Sequence, residues 1–245
     1  MNRTRLKVAI LQQLRLQQRH GIHLVYLVVT LLYIALIRFV PESARHAVAA
    51  LIIISDPVFI GFFFIGGMLF LERSDRTHLA IAITPLTTPE QLAARVLGLT
   101  LLGTLAATIL AITALGAAPG TIALITLAVL LASPTGIIIG ILVSSRFDTV
   151  NRFMAFAGIG LLPLSIPMLP LAGIHPPAWL CWLIPTQPVV VSIAALTGTL
   201  PASPATIATA FAALLAWDAL LWPVGVAAWD KYMLGRLTGA TPEEA

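Results

Sequence analysis

Two carboxylates interrupt long apolar stretches of the sequence. Asp56 stands in IIISDPVFIGFFF and Asp218 in LLAWDALLWP. A charged side chain at the centre of a bilayer costs at least about 2.5–3.5 kcal/mol, so such residues normally face a cavity or a partner. This predicts that Asp218 lines a path or joins helices. Asp56 precedes Pro57, the order of an N-cap and a first-turn proline, which predicts that Asp56 restarts a broken helix.

The two acids and two aromatic residues, Trp217 and Phe63, are our candidates for a substrate path. A cavity lined by aromatic rings and one or two acids favours an amphipathic molecule that carries a cationic group. Many drugs and lipids have this character. The sequence therefore predicts a class of substrate rather than one compound.

A charged segment separates two of the apolar stretches. It runs from Glu72 to Arg95, ERSDRTHLAIAITPLTTPEQLAAR, and its first five residues include four charged ones. Because its flanks are strongly apolar, it is one of the few places where a soluble partner can reach the chain. The alternative to a partner-binding surface is a solvated turn whose charges only orient the protein in the membrane.

Catalytic and cofactor motifs are absent from the sequence. It has no Gly-x-x-x-x-Gly-Lys loop for nucleotide phosphates and no His-Glu-x-x-His metal pair. Its five histidines are scattered, and the single cysteine, Cys181, excludes an internal disulfide. We therefore expect no enzymatic activity, no catalytic residue, no metal and no bound cofactor in this chain.

The composition is that of a membrane protein. The 245 residues are 59% hydrophobic and 10% charged, whereas soluble domains are roughly a quarter charged. The runs are continuous and rich in Leu, Ile and Ala, which favours helices over the alternating strands of a barrel. The fold class predicted is an all-α integral membrane protein. Six spans of sufficient length are indicated: Gly21 to Val40, Ala47 to Leu71, Leu92 to Leu115, Thr121 to Ser145, Phe153 to Pro170 and Ala205 to Trp229.

The basic residues predict the orientation. Of the 14 Lys and Arg residues, only Arg38 and Arg45 lie on the side opposite the N-terminus, so the count is twelve against two. The positive-inside rule then places both termini in the cytoplasm. The net charge of +4 reflects this bias, and no nucleic-acid partner is expected.

Two further segments have distinct patterns. Residues 1–20 combine helically spaced apolar residues with basic ones, which predicts an amphipathic helix at the lipid headgroups. Residues 21–245 then form a single six-helix transmembrane domain. Its connection 171–204 is rich in proline and uncharged, and the apolar stretch Val189 to Thr199 within it is too short to span, which predicts a re-entrant outer segment before the sixth span.

With these features, the chain resembles the type 2 ABC exporter permeases over essentially its whole length. The motif MLFLERSDRTHLAIAITPLTTPEQLAARV is similar to the helix, Glu, charged turn, apolar run and Thr-Pro pattern of bacterial drug-export permeases. The permease family associated with fluoroquinolone export is the most similar subgroup, because Asp56-Pro57 and WLIPTQP, with Pro185, Thr186 and Gln187, also match. A glycine that many members carry in the charged turn is absent from Asp75-Arg76-Thr77.

The resemblance implies a bacterial cytoplasmic-membrane subunit that dimerises with a second permease and works with a separate ABC ATPase, which binds ATP and Mg. It also implies that residues 72–91 form the coupling loop to that ATPase. The residues implicated are Glu72, Arg73, Asp75, Arg76, Thr84, Pro85 and Glu90.

Three other functions remain open at this point. A proton-coupled secondary transporter would use Asp56 and Asp218 as relays, although no internal repeat is visible. LASPTGIIIG and LLPLSIPMLP are similar to the haem-exporter subunit of cytochrome c maturation. A lipid-modifying membrane enzyme would need an acid, a base and a nucleophile, and no such convergent set is present.

Overall fold

A computed structural model describes residues 3–75, 84–116 and 118–238, and within these ranges it contains helices and connections but no strand. The α-helices are α1 Arg3–Arg19, α2 Ile22–Phe39, α3 Glu42–Ser55, α4 Gly61–Ser74, α5 Thr88–Leu115, α6 Pro119–Ser144, α7 Val150–Ser165, α8 Ala178–Trp182, α9 Gln187–Leu196 and α10 Pro204–Thr238. A π-helical turn, Asp56–Ile60, joins α3 to α4, and a 3₁₀ helix, Ile166–Ala172, follows α7.

Six helical stretches are long and apolar enough to cross a membrane, which confirms the predicted fold class. They agree with the predicted spans to within a few residues. The second differs most at its start, at Glu42 rather than Ala47. The spans are Ile22–Phe39, Glu42–Ser74, Thr88–Leu115, Pro119–Ser144, Val150–Ala172 and Pro204–Met233.

The second span is continuous, so the predicted N-cap role of Asp56 is wrong. Asp56 has φ −59° and ψ −57°, which are helical values, whereas an N-cap residue is normally extended. Pro57 has no N–H to donate to the preceding turn, and the helix continues through one widened π-turn instead of breaking.

Close backbone contact joins the second span to α6. A Cβ added to Gly136 would lie 2.9 Å from Val58 Cα, and one added to Gly140 would lie 2.8 Å from the Phe62 carbonyl oxygen. Glycine at two positions one turn apart therefore lets the two helices pack at a distance that a larger residue would prevent.

The connection before the sixth span folds into two short helices, α8 and α9. Pro188 occupies the first turn of α9, where its missing N–H costs nothing, and Val189 and Val190 are buried. The Thr186 hydroxyl donates to the Leu164 carbonyl oxygen at 2.6 Å. The segment containing Pro185, Thr186 and Gln187 is thus tied to the end of α7, and its depth in the membrane stays a prediction.

Three spans bury few of their residues inside the protein. In 18-residue apolar stretches of these spans, the buried share is 22% for α2, 17% for the fifth span and 11% for the sixth. Their apolar faces require lipid or another protein as a neighbour.

Candidate functional site

A buried ion pair lies at the inner end of the bundle, the end where α4 and α10 terminate and α5 begins. Arg95 Nη2 lies 2.5 Å from Glu72 Oε2, and the two side chains are 3% and 1% exposed. Arg95 Nη1 also donates to Gln13 Oε1 of α1 at 3.4 Å. Two buried charges are tolerated because each neutralises the other.

The same arginine contacts the last span. Its guanidinium carbon lies 4.3 Å from the centroid of the Trp229 ring, which is a cation–π contact. Trp229 is fully buried and donates from Nε1 to Gln91 Oε1 at 3.1 Å. We call these residues, Gln13, Glu72, Gln91, Arg95 and Trp229, the polar latch. It joins α1, α4, α5 and α10 through side chains alone.

A second layer of contacts surrounds the latch. Arg73 Nε donates to the Tyr232 hydroxyl at 2.9 Å, and Arg73 Nη1 donates to the Phe147 carbonyl oxygen. The Thr88 hydroxyl donates to Asp230 Oδ1 at 2.8 Å. The end of α10 is therefore bound on one side to α4 and on the other to the start of α5.

Glu90 has a structural role at the start of α5. The Thr87 N–H donates to Glu90 Oε2 at 3.2 Å, and the Thr87 side chain accepts from the N3 backbone, which forms a capping box. The signal for this motif, Thr-x-x-Glu before an apolar run, is present in the sequence as TTPE. The same segment contains Pro85 and Pro89, which indicate a turn and so compete with the capping signal.

The expectation of a uniformly exposed coupling segment needs correction for some of its members. Glu72 and Glu90 are 1% and 2% exposed, so neither can present its charge to a soluble partner in this conformation. Asp75 and Pro85 are exposed, while Arg73 and Thr84 are partly buried. Arg76 lies outside the described residues.

Helix α1 reaches both ends of this segment. Arg5 Nη1 donates to the Pro85 carbonyl oxygen at 3.1 Å, and His20 Nε2, at the end of α1, lies 3.9 Å from Asp75 Oδ2. The face that α1 turns toward the protein contains buried Ala9, Gln13 and Gln17. The predicted helix therefore exists, and its interfacial position in a membrane stays a prediction.

Asp218 joins two spans near the middle of the bundle. It accepts a hydrogen bond from the Thr135 hydroxyl of α6 at 2.7 Å, and its side chain is partly buried. Trp217, beside it, is also partly buried. On the same helix, Leu215 and Leu220 are 55% and 60% exposed, so the carboxylate lies close to an uncovered face.

The other two path candidates lie elsewhere. Asp56 is 2% exposed and faces the interior between α2, α5 and α6. Phe63 packs edge-to-face on Phe62, with ring centroids 5.3 Å apart, and against Phe153 of α7. The described contacts do not bring the four candidates into one cavity.

Comparisons with known proteins were consistent with this architecture. The family model for the "Fluoroquinolones export permease protein family" matches residues 4–237. Two relatives, the fluoroquinolones export permease proteins of Mycobacterium tuberculosis strains CDC 1551 / Oshkosh and ATCC 25618 / H37Rv, are each 37% identical over 93 residues. That segment covers 38% of this chain and 39% of each relative, so each is matched over less than half its length.

Removing one member of the ion pair should lower the free energy of unfolding more than removing both. Glu72→Gln or Arg95→Met alone leaves a buried charge without its partner, and each should lower the free energy of unfolding by about 3–5 kcal/mol. The double variant should recover a substantial part of that loss. The measurement is a double-mutant cycle from unfolding in detergent.

A matched control is the outer pair Glu42 and Arg45, 3.8 Å apart with side chains 91% and 33% exposed, which should show little coupling. Additive losses at Glu72 and Arg95 would contradict the assignment of their pair as the main polar contact of the inner end.

Proposed function

Because this chain belongs to the fluoroquinolones export permease protein family, we propose that it is the membrane subunit of an ATP-driven exporter. It works with a separate ABC ATPase and a second permease. Together they move an amphipathic, drug-like molecule out of the cell across the bacterial cytoplasmic membrane. The observation that carries this proposal is that Asp75 and Pro85, at the two described ends of the segment between α4 and α5, are exposed beside helices joined by the polar latch.

The ATPase docks on the inner end. Asp75 and Pro85 are exposed at the two ends of the segment between α4 and α5, and basic Arg5 lies beside Pro85. These groups offer a polar surface to a soluble partner, whereas buried Glu72 and Glu90 hold the helices beneath it. The orientation implied by the basic residues places this surface in the cytoplasm.

Movement of the docked turn reaches α10 through the latch. Trp229, Asp230 and Tyr232 each contact a residue of α4 or α5, so the end of α10 is tied to both sides of the turn. A rigid displacement of the turn then carries α10 with it. The ATPase shifts the population of two membrane states by binding one of them more tightly.

The second permease covers the exposed side of α10. Asp218 lies within a span of which only 11% is buried, and hydrocarbon is a poor environment for a carboxyl group. A partner subunit with a polar path between the two copies relieves that cost. Asp218 and Trp217 then line the path, and Thr135, buried behind them, holds the Asp218 carboxyl group.

The substrate carries a cationic group. A single acid at mid-span attracts an amine more strongly than a neutral group, and the matched relatives are named for fluoroquinolone export. Other amphipathic cations meet the same chemical requirement.

Reversing the charge of Asp75 should weaken binding of the ATPase and lower ATP-driven export. In proteoliposomes, wild-type chain with its ATPase should export substrate only with ATP, and the chain alone should hydrolyse none. Asp75→Arg should reduce ATPase capture and export, while Glu42→Arg on the outer side should change neither. Full export by Asp75→Arg would contradict the assignment of the docking surface. Export driven by a proton gradient without any ATPase would indicate a secondary carrier.

Asp218→Asn should lower export of a cationic substrate by roughly tenfold relative to a neutral analogue, because a charge-assisted contact is lost. Thr135→Val is the matched variant, since it removes the hydrogen bond to Asp218 and keeps the carboxyl group. The assay is vesicle uptake with one cationic and one neutral compound at equal protein level. An equal loss for both compounds in Asp218→Asn would show that the residue serves helix packing instead.

A further inference from the structure

A buried carboxyl oxygen lies without a partner in the middle of the second span. Asp56 is 2% exposed, and its Oδ2 makes no hydrogen bond to any residue that the structure describes. An unpaired carboxylate in a membrane interior is costly and normally marks a functional site. The polar latch does not explain it, because the latch lies at the inner end of the bundle.

Two further polar atoms, each from a different span, lie near this oxygen. A point one bond length from Cα of Gly103 in α5, where a Cβ would stand, lies 3.3 Å from Asp56 Oδ2, 3.4 Å from the Tyr26 hydroxyl and 3.9 Å from Ser133 Oγ. We call this space the Gly103 niche. It exists only because residue 103 has no side chain.

The hydroxyl oxygens of Ser133 and Tyr26 have lone pairs that can bind a cation. Ser133 donates its proton to the Val129 carbonyl oxygen at 2.8 Å, so its oxygen remains able to accept or coordinate. The Tyr26 hydroxyl belongs to a side chain that is 4% exposed. All three atoms are oxygens, the donor type that hard cations prefer.

The charge of the niche and its number of oxygen ligands determine which cation it can bind. The titratable groups that interact electrostatically with Asp56 are Tyr26, whose hydroxyl borders the niche, and Tyr33, both of α2. Helix α6 contains no titratable residue, and the only ones in α5, Glu90 and Arg95, are engaged at the inner end. Among the described residues no group of three acids, histidines or cysteines could hold a metal ion. One negative charge and few ligands do not meet the needs of Ca²⁺ or Mg²⁺.

We propose that the Gly103 niche binds one small monovalent cation, either Na⁺ or a proton, between Asp56, Tyr26 and Ser133. The bound cation neutralises the carboxyl group and joins α2, the second span and α6, while Gly103 of α5 leaves the space for it. Because the niche is closed to solvent, the cation enters and leaves only when these helices separate. This site is independent of the proposed ATPase partner.

The test uses the purified full chain in detergent and measures its melting temperature, Tm. If the guest is Na⁺, Tm should rise by roughly 3–5 °C for each tenfold increase in NaCl above the Kd, with choline chloride holding ionic strength constant. If the guest is a proton, Tm should respond to pH instead, and the infrared carbonyl band of a protonated carboxyl group should be present. Asp56→Asn should abolish the response and the band in either case.

Gly103→Ala separates binding from folding. Its methyl group would occupy the niche, 3.3 Å from Asp56 Oδ2, without removing a polar group, and the cation response should disappear. Gly67→Ala in the same span as Asp56 has nothing within 4 Å and should keep the wild-type response. If Na⁺ and pH affect wild type, Asp56→Asn and Gly103→Ala alike, the proposal is overturned. Because no ATPase is present, that result leaves the exporter proposal unaffected.

Discussion

The inner end of this protein depends on one contact, the buried pair of Glu72 and Arg95. With side chains 1% and 3% exposed, neither charge can be satisfied by water, so the helices that carry them must remain together. Arg95 extends that constraint to α1 through Gln13 and to α10 through Trp229. Asp75 and Pro85, at the two ends of the segment between α4 and α5, are exposed and adjoin the helices that this pair holds together. In the proposed exporter, a partner that binds there would move those helices as one unit.

The two acids of the membrane interior are treated differently by the fold. Asp218 has a donor in Thr135 and lies near an exposed face, which in the proposed exporter a second subunit and the substrate would reach. Asp56 is enclosed, and its Oδ2 lacks a partner among the described residues. One site is suited to a molecule that passes between subunits, and the other to a guest of atomic size within one subunit.

The sequence predicted the helices well because hydropathy is a local property of the chain. The six spans and the helical form of residues 3–19 required no knowledge of tertiary contacts. The polar latch could not be predicted, because it joins residues 13, 72, 91, 95 and 229, and nothing in their local patterns indicates pairing. The N-cap prediction for Asp56 was wrong because the dipeptide Asp56-Pro57 suits both a helix start and a π-turn. Close packing of Gly136 and Gly140 against this part of the second span favours the continuous helix. By contrast, the Thr87 to Glu90 cap could have been read from the sequence.

The central claim is that the docking turn and the inner end of α10 move as one body. Spin labels on the exposed residues Ser74 and Lys231, with Cys181 replaced by Ser, report the distance between them in the assembled transporter with and without ATP. We expect the distance within one chain to stay constant while the distance between the Lys231 labels of the two permeases, if they are copies of this chain, changes. A distance within one chain that changes on ATP binding, with the distance between copies constant, would contradict transmission through the latch.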